Sequence, residues 1–273
     1  MNSHPLVSVC IPAFNSESFI GLTLESVLSQ TCEDFEIVVC DDKSSDGTVS
    51  AIQRFNDPRI RLIPNERNLG MGGNWNKVVS LAKGKYVKLL CGDDVIYPDC
   101  LARQAERLEA DSQLVLAVCG SEVIDRLSRV IFRRRSHFRP GRATGNELIP
   151  SCIRWGTNLI GEPAVGLFRR EVLARSVSFR SDNPYLIDLA FWADLLKHGD
   201  AFIEDERMAA FRVSAHSVST RVGLKQAASF RRFVLEIHRD RAYRTSPLDV
   251  TLGCMLSVQW CLLRNLVIKL RAQ

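Results

Sequence analysis

The chain has 273 residues, 46% of them apolar and 25% charged, which makes it globular, with room for one sizeable core and a small appendage. It carries a net charge of +5, yet Lys225 to Gln273 alone holds nine Lys or Arg against three acids, so the body is close to neutral and the tail carries the whole excess. No nucleic-acid-binding motif or aromatic-basic interleaving accompanies that charge, which excludes nucleic acid and leaves an anionic membrane surface, an acidic partner or a solvated helix face.

Met1 to Pro5 leads straight into an apolar run, without a basic stretch, a long apolar region or a cleavage site, so a cytoplasmic protein is expected. Val7 to Ile11 is a β-branched strand stopped by Pro12. Phe19, Ile20, Leu24, Val27 and Leu28 then recur at helical spacing behind Asn15-Ser16. Glu36 to Cys40 predicts a second strand, Asp42 to Thr48 supplies turn and N-cap chemistry, and Val49, Ile52 and Phe55 mark a second helix. Arg59 to Ile63 reads as a third strand. Trp75, Val78, Val79 and Ala82 make a third helix, ended by Gly84 before the run from Tyr86 to Gly92. Strands alternating with helices predict an α/β fold, a Rossmann-like, doubly wound and mostly parallel sheet. Beyond Pro98 the pattern gives a helix over Leu101 to Leu108, strands over Leu114 to Cys119 and Val130 to Phe132, and a basic loop over Arg133 to Gly145. A buried helix follows over Asp182 to His198, and a helical tail over Val250 to Leu270. The nine cysteines are odd in number and lack a Cys-x-x-Cys pair, so reduced, mostly buried thiols are expected.

Two acidic pairs close apolar runs, Asp41-Asp42 after Glu36 to Cys40 and Asp93-Asp94 after Tyr86 to Gly92. On neighbouring parallel strands they gather four carboxylates along the sheet edge where α/β folds bind ligands. Carboxylates alone repel a nucleoside diphosphate, but Mg²⁺ or Mn²⁺ between carboxylate and phosphate oxygens reverses the sign, and one or two protein carboxylates suffice. Asp94 or Asp93 suits that contact. Asp41-Asp42, acceptors only when ionised, suit the N–H of a base or the hydroxyls of a ribose.

These residues resemble glycosyltransferase family 2, enzymes of the nucleotide-sugar-binding fold called A. The resemblance runs from about Val7 to Ser219 through an ordered set of segments: Val7 to Asn15, Asp41 to Thr48, Asn68-Leu69-Gly70, Ala82 to Val87, and Asp93-Asp94. It implies that Pro12, Ala13, Phe14, Asn15, Asp41 or Asp42, Asn68 and Asp93 bind the nucleotide, with UDP the expected donor diphosphate and uracil or guanine the base. It also implies that Asp94 first and Asp93 second hold the cation. Two positions depart from the family pattern: Cys91 stands where many members have an Asp two residues before the pair, and Trp75 where many have an Arg facing the phosphates. By the same resemblance Asp188, before Phe191 to Gly199, takes the place of the catalytic base, and its apolar neighbours should raise its pKa. Asp194 is the fallback and is expected to face solvent. His216, in the segment that closes over the diphosphate, would coordinate the cation or donate to a phosphate, and Glu162 would contact the acceptor.

The expected organisation is a catalytic domain over residues 1–222, with a nucleotide-binding half (1–98) and an acceptor-binding half (99–222), followed by a basic amphipathic tail over 223–273. The expected activity is inverting transfer of a sugar from a nucleoside-diphosphate sugar to the hydroxyl of a saccharide or lipid-linked acceptor, in surface polysaccharide or lipopolysaccharide synthesis. Alternatives are a non-catalytic nucleotide-sugar-binding or scaffold protein and a sugar-phosphate nucleotidyltransferase, although Ala13 to Ser16 is unlike the Gly-rich, basic loop of the latter. Arg264-Asn265 interrupts the tail too centrally for a spanning helix. The tail therefore lies on the inner face of an anionic membrane, or packs on the body or on a second copy in a homodimer.

Overall fold

The computed structural model describes residues 4–134, 136–213 and 224–271. Val7–Ala13 (β1), Phe35–Asp41 (β2), Ile60–Pro64 (β3) and Tyr86–Leu89 (β4) lie in the order β3-β2-β1-β4, every neighbour parallel. Ile20–Leu28 (α1), Thr48–Gln53 (α2) and Gly70–Ser80 (α3) make the crossovers between them. β1, β2 and β4 are buried almost throughout, which is why their sequences are continuous apolar runs rather than alternating ones. β1 has β2 on one side and β4 on the other, so the strand order reverses at its carboxyl end and opens a crevice there.

Val95–Ile96 (β5), Cys100–Ala110 (α4), Leu114–Ile124 (β6), Val130–Arg134 (β7), Gly141–Ala143 (β8), Gly145–Trp155 (α5), Gly166–Arg169 (β9), Ile187–Leu195 (α6) and Asp200–Arg212 (β10) extend the sheet and cover it. The sheet continues β4-β9-β6-β10-β5, with β7 on β6 and β8 on β10. β9 runs antiparallel to both β4 and β6, and β10 runs parallel to β6. This is the glycosyltransferase A-type arrangement expected from the sequence, a large α/β sheet followed by C-terminal helices.

Several elements differ from the sequence expectation. The helix expected from Asp182 is confined to Ile187–Leu195, because Pro184 offers no N–H and restricts the residue before it. The loop expected over Arg133 to Gly145 contains β8 and the end of β7. Asp194 does not face solvent freely: it is half-buried and ion-paired with Arg180 at 3.0 Å and Lys197 at 3.1 Å. The nine cysteines form no disulfide among the described residues, and six of them are buried.

Leu224–Asp240 (α7) and Pro247–Arg271 (α8) form the tail, and α8 packs on α5 and α7. Asp249, Gly253, Ser257 and Cys261, four residues apart, are its buried stripe. Asp249 accepts from Arg154 Nε at 2.6 Å, and the Trp260 indole N–H donates to the Trp155 carbonyl at 2.9 Å. Among the described residues no helix is long and apolar enough to cross a membrane.

Candidate active site

A cavity of about 1440 Å³ opens at the carboxyl ends of β1, β2 and β4 and runs under the loops after α5 and before α6 to α8. It exceeds the ~300–1,000 Å³ of an ordinary small-molecule pocket.

One end is built by the loops after β1 and β2. Pro12, Ala13, Phe14, Asn15, Asp42 and Asn68 all line it. Asn15 takes a left-handed backbone (φ 49°), accessible to Asn because its short side chain bonds locally. Here its Oδ1 accepts from Ser45 N and its N–H donates to Ser44 Oγ, both at 2.9 Å, which ties the two loops together. Asp42 is buried. Its Oδ1 accepts from Leu69 N at 2.7 Å and Asn65 Nδ2 at 2.8 Å, while Asn68 Nδ2 donates to its carbonyl at 3.1 Å. Asp41 does not line the cavity: its carboxylate accepts from the N–H and hydroxyl of Ser44 and shapes the turn. Of the first acidic pair, Asp42 alone is presented.

The other end gathers Asp93, Asp94, Glu162 and Asp188. Cys91 lies among them: burial drives its thiol pKa well up, and Asp94, Asp93, Asp188 and Glu162 each add to the rise, in that order. Asp94 is fully buried. Its Oδ1 accepts from Arg212 N at 3.0 Å, its Oδ2 has no partner among the described residues, and burial followed by the charge of Asp93 raises its pKa well above the carboxylate range. Burial also raises Asp93, which is part-exposed. The Arg212 side chain fixes this turn: Nε donates to the Asp93 carbonyl at 2.8 Å, and Nη1 donates to the Asp125 carbonyl at 2.8 Å and to Ser128 Oγ at 3.0 Å.

Asp188 opens α6. Burial raises it to about 6, with Glu162 adding to the rise, against the lowering effect of hydrogen bonds from Leu189 N at 2.7 Å and Asn158 Nδ2 at 2.9 Å. Asn158 organises the loop that faces it. The same amide donates to the Gly161 carbonyl, and its Oδ1 accepts from Ile160 N and Gly161 N. Gly161 sits at φ +118°, a conformation open to glycine, and this turn delivers Glu162 to the cavity. Glu162 pairs with Arg134 and keeps Oε2 buried without a partner among the described residues.

The structure thus brings together Pro12, Ala13, Phe14, Asn15, Asp42, Asn68, Asp93, Asp94, Glu162 and Asp188. It turns Asp41 aside, and His216 lies outside the described residues. Asn158, Arg134 and Arg212 were not legible as site residues; the one available signal was the Asn-x-x-Gly turn at Asn158. No cage of three or more His, Cys, Asp or Glu exists among the described residues. The orphaned Asp94 Oδ2 beside Asp93 is instead a one- or two-carboxylate donor set, of the kind that suits a hard cation completed by phosphate and water.

Residues 8–175 match the family model described as Glycosyl transferase family 2. The Escherichia coli enzyme UDP-Glc:alpha-D-GlcNAc-diphosphoundecaprenol beta-1,3-glucosyltransferase WfgD is 32% identical over 147 residues, which cover 54% of this chain and 56% of WfgD. Among solved structures, S. aureus TarS 1-349 in complex with UDP-GlcNAc superposes with TM-score 0.68 at 20% identity, covering 86% of this chain and 70% of that one. The mannosyltransferase PcManGT from Pyrobaculum calidifontis, in complex with GDP-Man and Mn2+, superposes with TM-score 0.65 at 20% identity over 99% of this chain and 76% of its own. At that identity the two structures establish the shared fold, and the match over residues 8–175 establishes the family: the chain belongs to glycosyl transferase family 2.

Proposed function

We propose that this protein is an inverting glycosyltransferase that moves a sugar from a nucleoside-diphosphate sugar, with UDP as the nucleotide, to a hydroxyl of a saccharide or lipid-linked acceptor in surface polysaccharide synthesis. The observation that carries this reading is the single cavity with Asp42 at one end and, at the other, Asp93, Asp94 and Glu162 beside an Asp188 held at about 6. The UDP-glucose in the name of WfgD and the UDP-GlcNAc bound to TarS support UDP.

In this reading Pro12, Ala13, Phe14, Asn15, Asp42 and Asn68 hold base and ribose. Asp94 and Asp93 hold Mn²⁺ or Mg²⁺, which when bound supplies positive charge to the departing diphosphate; the Mn2+ in the PcManGT complex supports this assignment. Glu162 positions the acceptor. Asp188 accepts the proton of the acceptor hydroxyl as its oxygen attacks the anomeric carbon from the face opposite the nucleotide, and the sugar-phosphate bond breaks. A pKa near 6 leaves Asp188 ionised at neutral pH and a stronger base than an ordinary aspartate. Residues 1–98 form the donor half and 99–222 the acceptor half.

The test is thermal stabilisation by UDP, GDP, CDP and dTDP, each with and without Mn²⁺, on wild type and Asp94→Asn. One nucleotide should stabilise the wild type, with the shift dependent on both Mn²⁺ and Asp94. No shift with any nucleotide overturns the reading.

A further inference from the structure

The cavity is longer than a donor needs, and its far end is unlike its catalytic end. Past Glu162 its wall passes to Phe132 and His137 of the segment around β7, then to Trp260 and Leu263 of α8. These residues form one rim. The His137 ring lies 5.6 Å from that of Trp155, and the Trp155 carbonyl accepts from the Trp260 indole. Phe132 is 61% exposed, Trp155 45%, Trp260 38% and Leu263 51%, so two of the four tryptophans stand in solvent side by side at a cavity mouth.

Two apolar surfaces extend from this rim. On the β6–β7 hairpin, Leu127 is 72% exposed and Val130 and Ile131 are exposed beside Phe132. On α8, opposite the stripe packed on α5 and α7, Leu248, Met255, Val258 and Leu262 all face outward. Neither surface has a partner element among the described residues, and each groups several exposed apolar side chains rather than scattering them singly.

The charge around them selects the occupant. The segment from Asp125 to Arg135 holds five arginines, of which Arg129, Arg133 and Arg134 pair with Asp125, Glu122 and Glu162, and the sequence of the last turns of α8 adds Arg264, Lys269 and Arg271. Arg126 lines the cavity and has no ion pair among the described residues. A second copy of this chain would set these basic elements against one another. Anionic headgroups would neutralise them, and exposed Trp and Phe beside Arg are the residues that settle at a bilayer interface.

We propose that the β6–β7 hairpin and the outward side of α8 dock the cavity mouth onto an anionic lipid surface, so that an acceptor anchored in that surface enters between Phe132 and Trp260. The proposal rests on the glycosyltransferase reading only for what enters. The docking itself needs the two elements alone. Arg212 ties the hairpin to the acidic end of the cavity, since the guanidinium that holds the hairpin tip through Asp125 and Ser128 also holds Asp93.

The experiment is flotation of the full chain with vesicles of phosphatidylcholine alone and of phosphatidylcholine with phosphatidylglycerol. Wild type is compared with Leu127→Ser/Ile131→Ser and Met255→Ser/Leu262→Ser, none of which lines the cavity. Wild type should float only with phosphatidylglycerol, more weakly in high salt, and each double variant should lose partitioning on the order of tenfold at unchanged melting temperature. Absence of flotation, flotation unaltered by both variants, or a wild-type dimer that either variant renders monomeric each overturns it. UDP-dependent thermal shifts of the same variants report separately on the donor site, so failure of docking and failure of the enzymatic reading are distinguishable.

Discussion

Asp188→Asn should separate stability from turnover. The folded protein holds this carboxyl at about 6, whereas an unperturbed aspartate titrates near 3.9. The folded state therefore binds the proton more tightly than the unfolded chain. Ionised Asp188 costs stability in full above pH 6, and the cost disappears as pH falls below about 4. Two units correspond to about 3 kcal/mol at 1.36 kcal/mol per unit. Asparagine removes the charge but turns an NH2 toward either Leu189 N or Asn158 Nδ2, which now donate to the carboxylate, so about 1–2 kcal/mol is lost again. The balance is a variant more stable than wild type by about 1–2 kcal/mol at pH 8, or roughly 2–6 °C in melting temperature, and less stable by about 1 kcal/mol at pH 4, where the charge cost has gone and the lost hydrogen bond remains. Turnover should move the other way. Loss of a positioned base lowers kcat by about 10²–10⁴, and the wild-type decline in kcat below pH 6, where Asp188 takes up its proton, should be absent from the residual rate of the variant. Scanning calorimetry at pH 4 and 8 and kcat against pH measure both halves. A variant with wild-type kcat, or one that keeps the limb near pH 6, refutes the assignment of Asp188 as base.

Three further substitutions test neighbouring claims. Cys91→Asp places a fifth carboxylate among four, so the melting temperature at pH 8 should fall in the presence of a chelator and recover with Mn²⁺; an equal fall in both conditions would show that no cation is held there. Asp42→Ala orphans Leu69 N and takes one of two acceptors from Asn65 Nδ2, and should cost about 1–3 kcal/mol in urea unfolding together with the nucleotide-dependent thermal shift. Retention of that shift would remove Asp42 from the nucleotide site. Gly253→Ala would set a Cβ 2.0 Å from the Ile153 carbonyl oxygen, forcing α8 off α5 at a cost of about 1–3 kcal/mol and altering Trp260 fluorescence; an unchanged melting temperature would mean that the two helices do not pack as described.

What the sequence disclosed follows from how local each signal is. β1, β2 and β4 are buried on both faces and declare themselves as apolar runs, and the acidic pairs at their ends come with them. β10 carries six charged side chains in thirteen residues and breaks register around Ile203 and Arg207, so no period-2 pattern survives for a reader to find. α5 was missed for a different reason. Pro150 interrupts its pattern, although Thr144 and Glu147 form a capping box visible in the sequence as Thr-x-x-Glu. Arg212 stayed hidden because its partners are up to 119 residues away, and Asn158 because the local Asn-x-x-Gly turn does not reveal its partner Asp188, 30 residues on.

The substitution at Trp75 is best understood through α6. Where the family resemblance places a phosphate-facing Arg, this chain buries an indole edge-on against Phe179 with ring centroids 5.2 Å apart. Phe179 stacks on Phe191 at 3.9 Å, and Phe191 packs edge-on against both Phe168 and Trp192. That ladder runs from α3, beside the nucleotide end of the cavity, into the helix that carries Asp188. Trp192 then donates its indole N–H to the Gly161 carbonyl at 3.0 Å, which closes the ladder on the loop bearing Glu162. Trp75 thus joins the two ends of the cavity through a continuous stack of packed rings. The charge that balances the acidic end comes from behind it, through Arg212 against Asp93-Asp94 and Arg134 against Glu162. Arg212 leaves the Asp94 Oδ2 atom unpaired. An arginine in direct contact with both Asp94 oxygens would neutralise the pair and leave nothing for a cation to bind, whereas one whose guanidinium holds the Asp93 and Asp125 carbonyls and Ser128 Oγ keeps the turn in place and the carboxylate available.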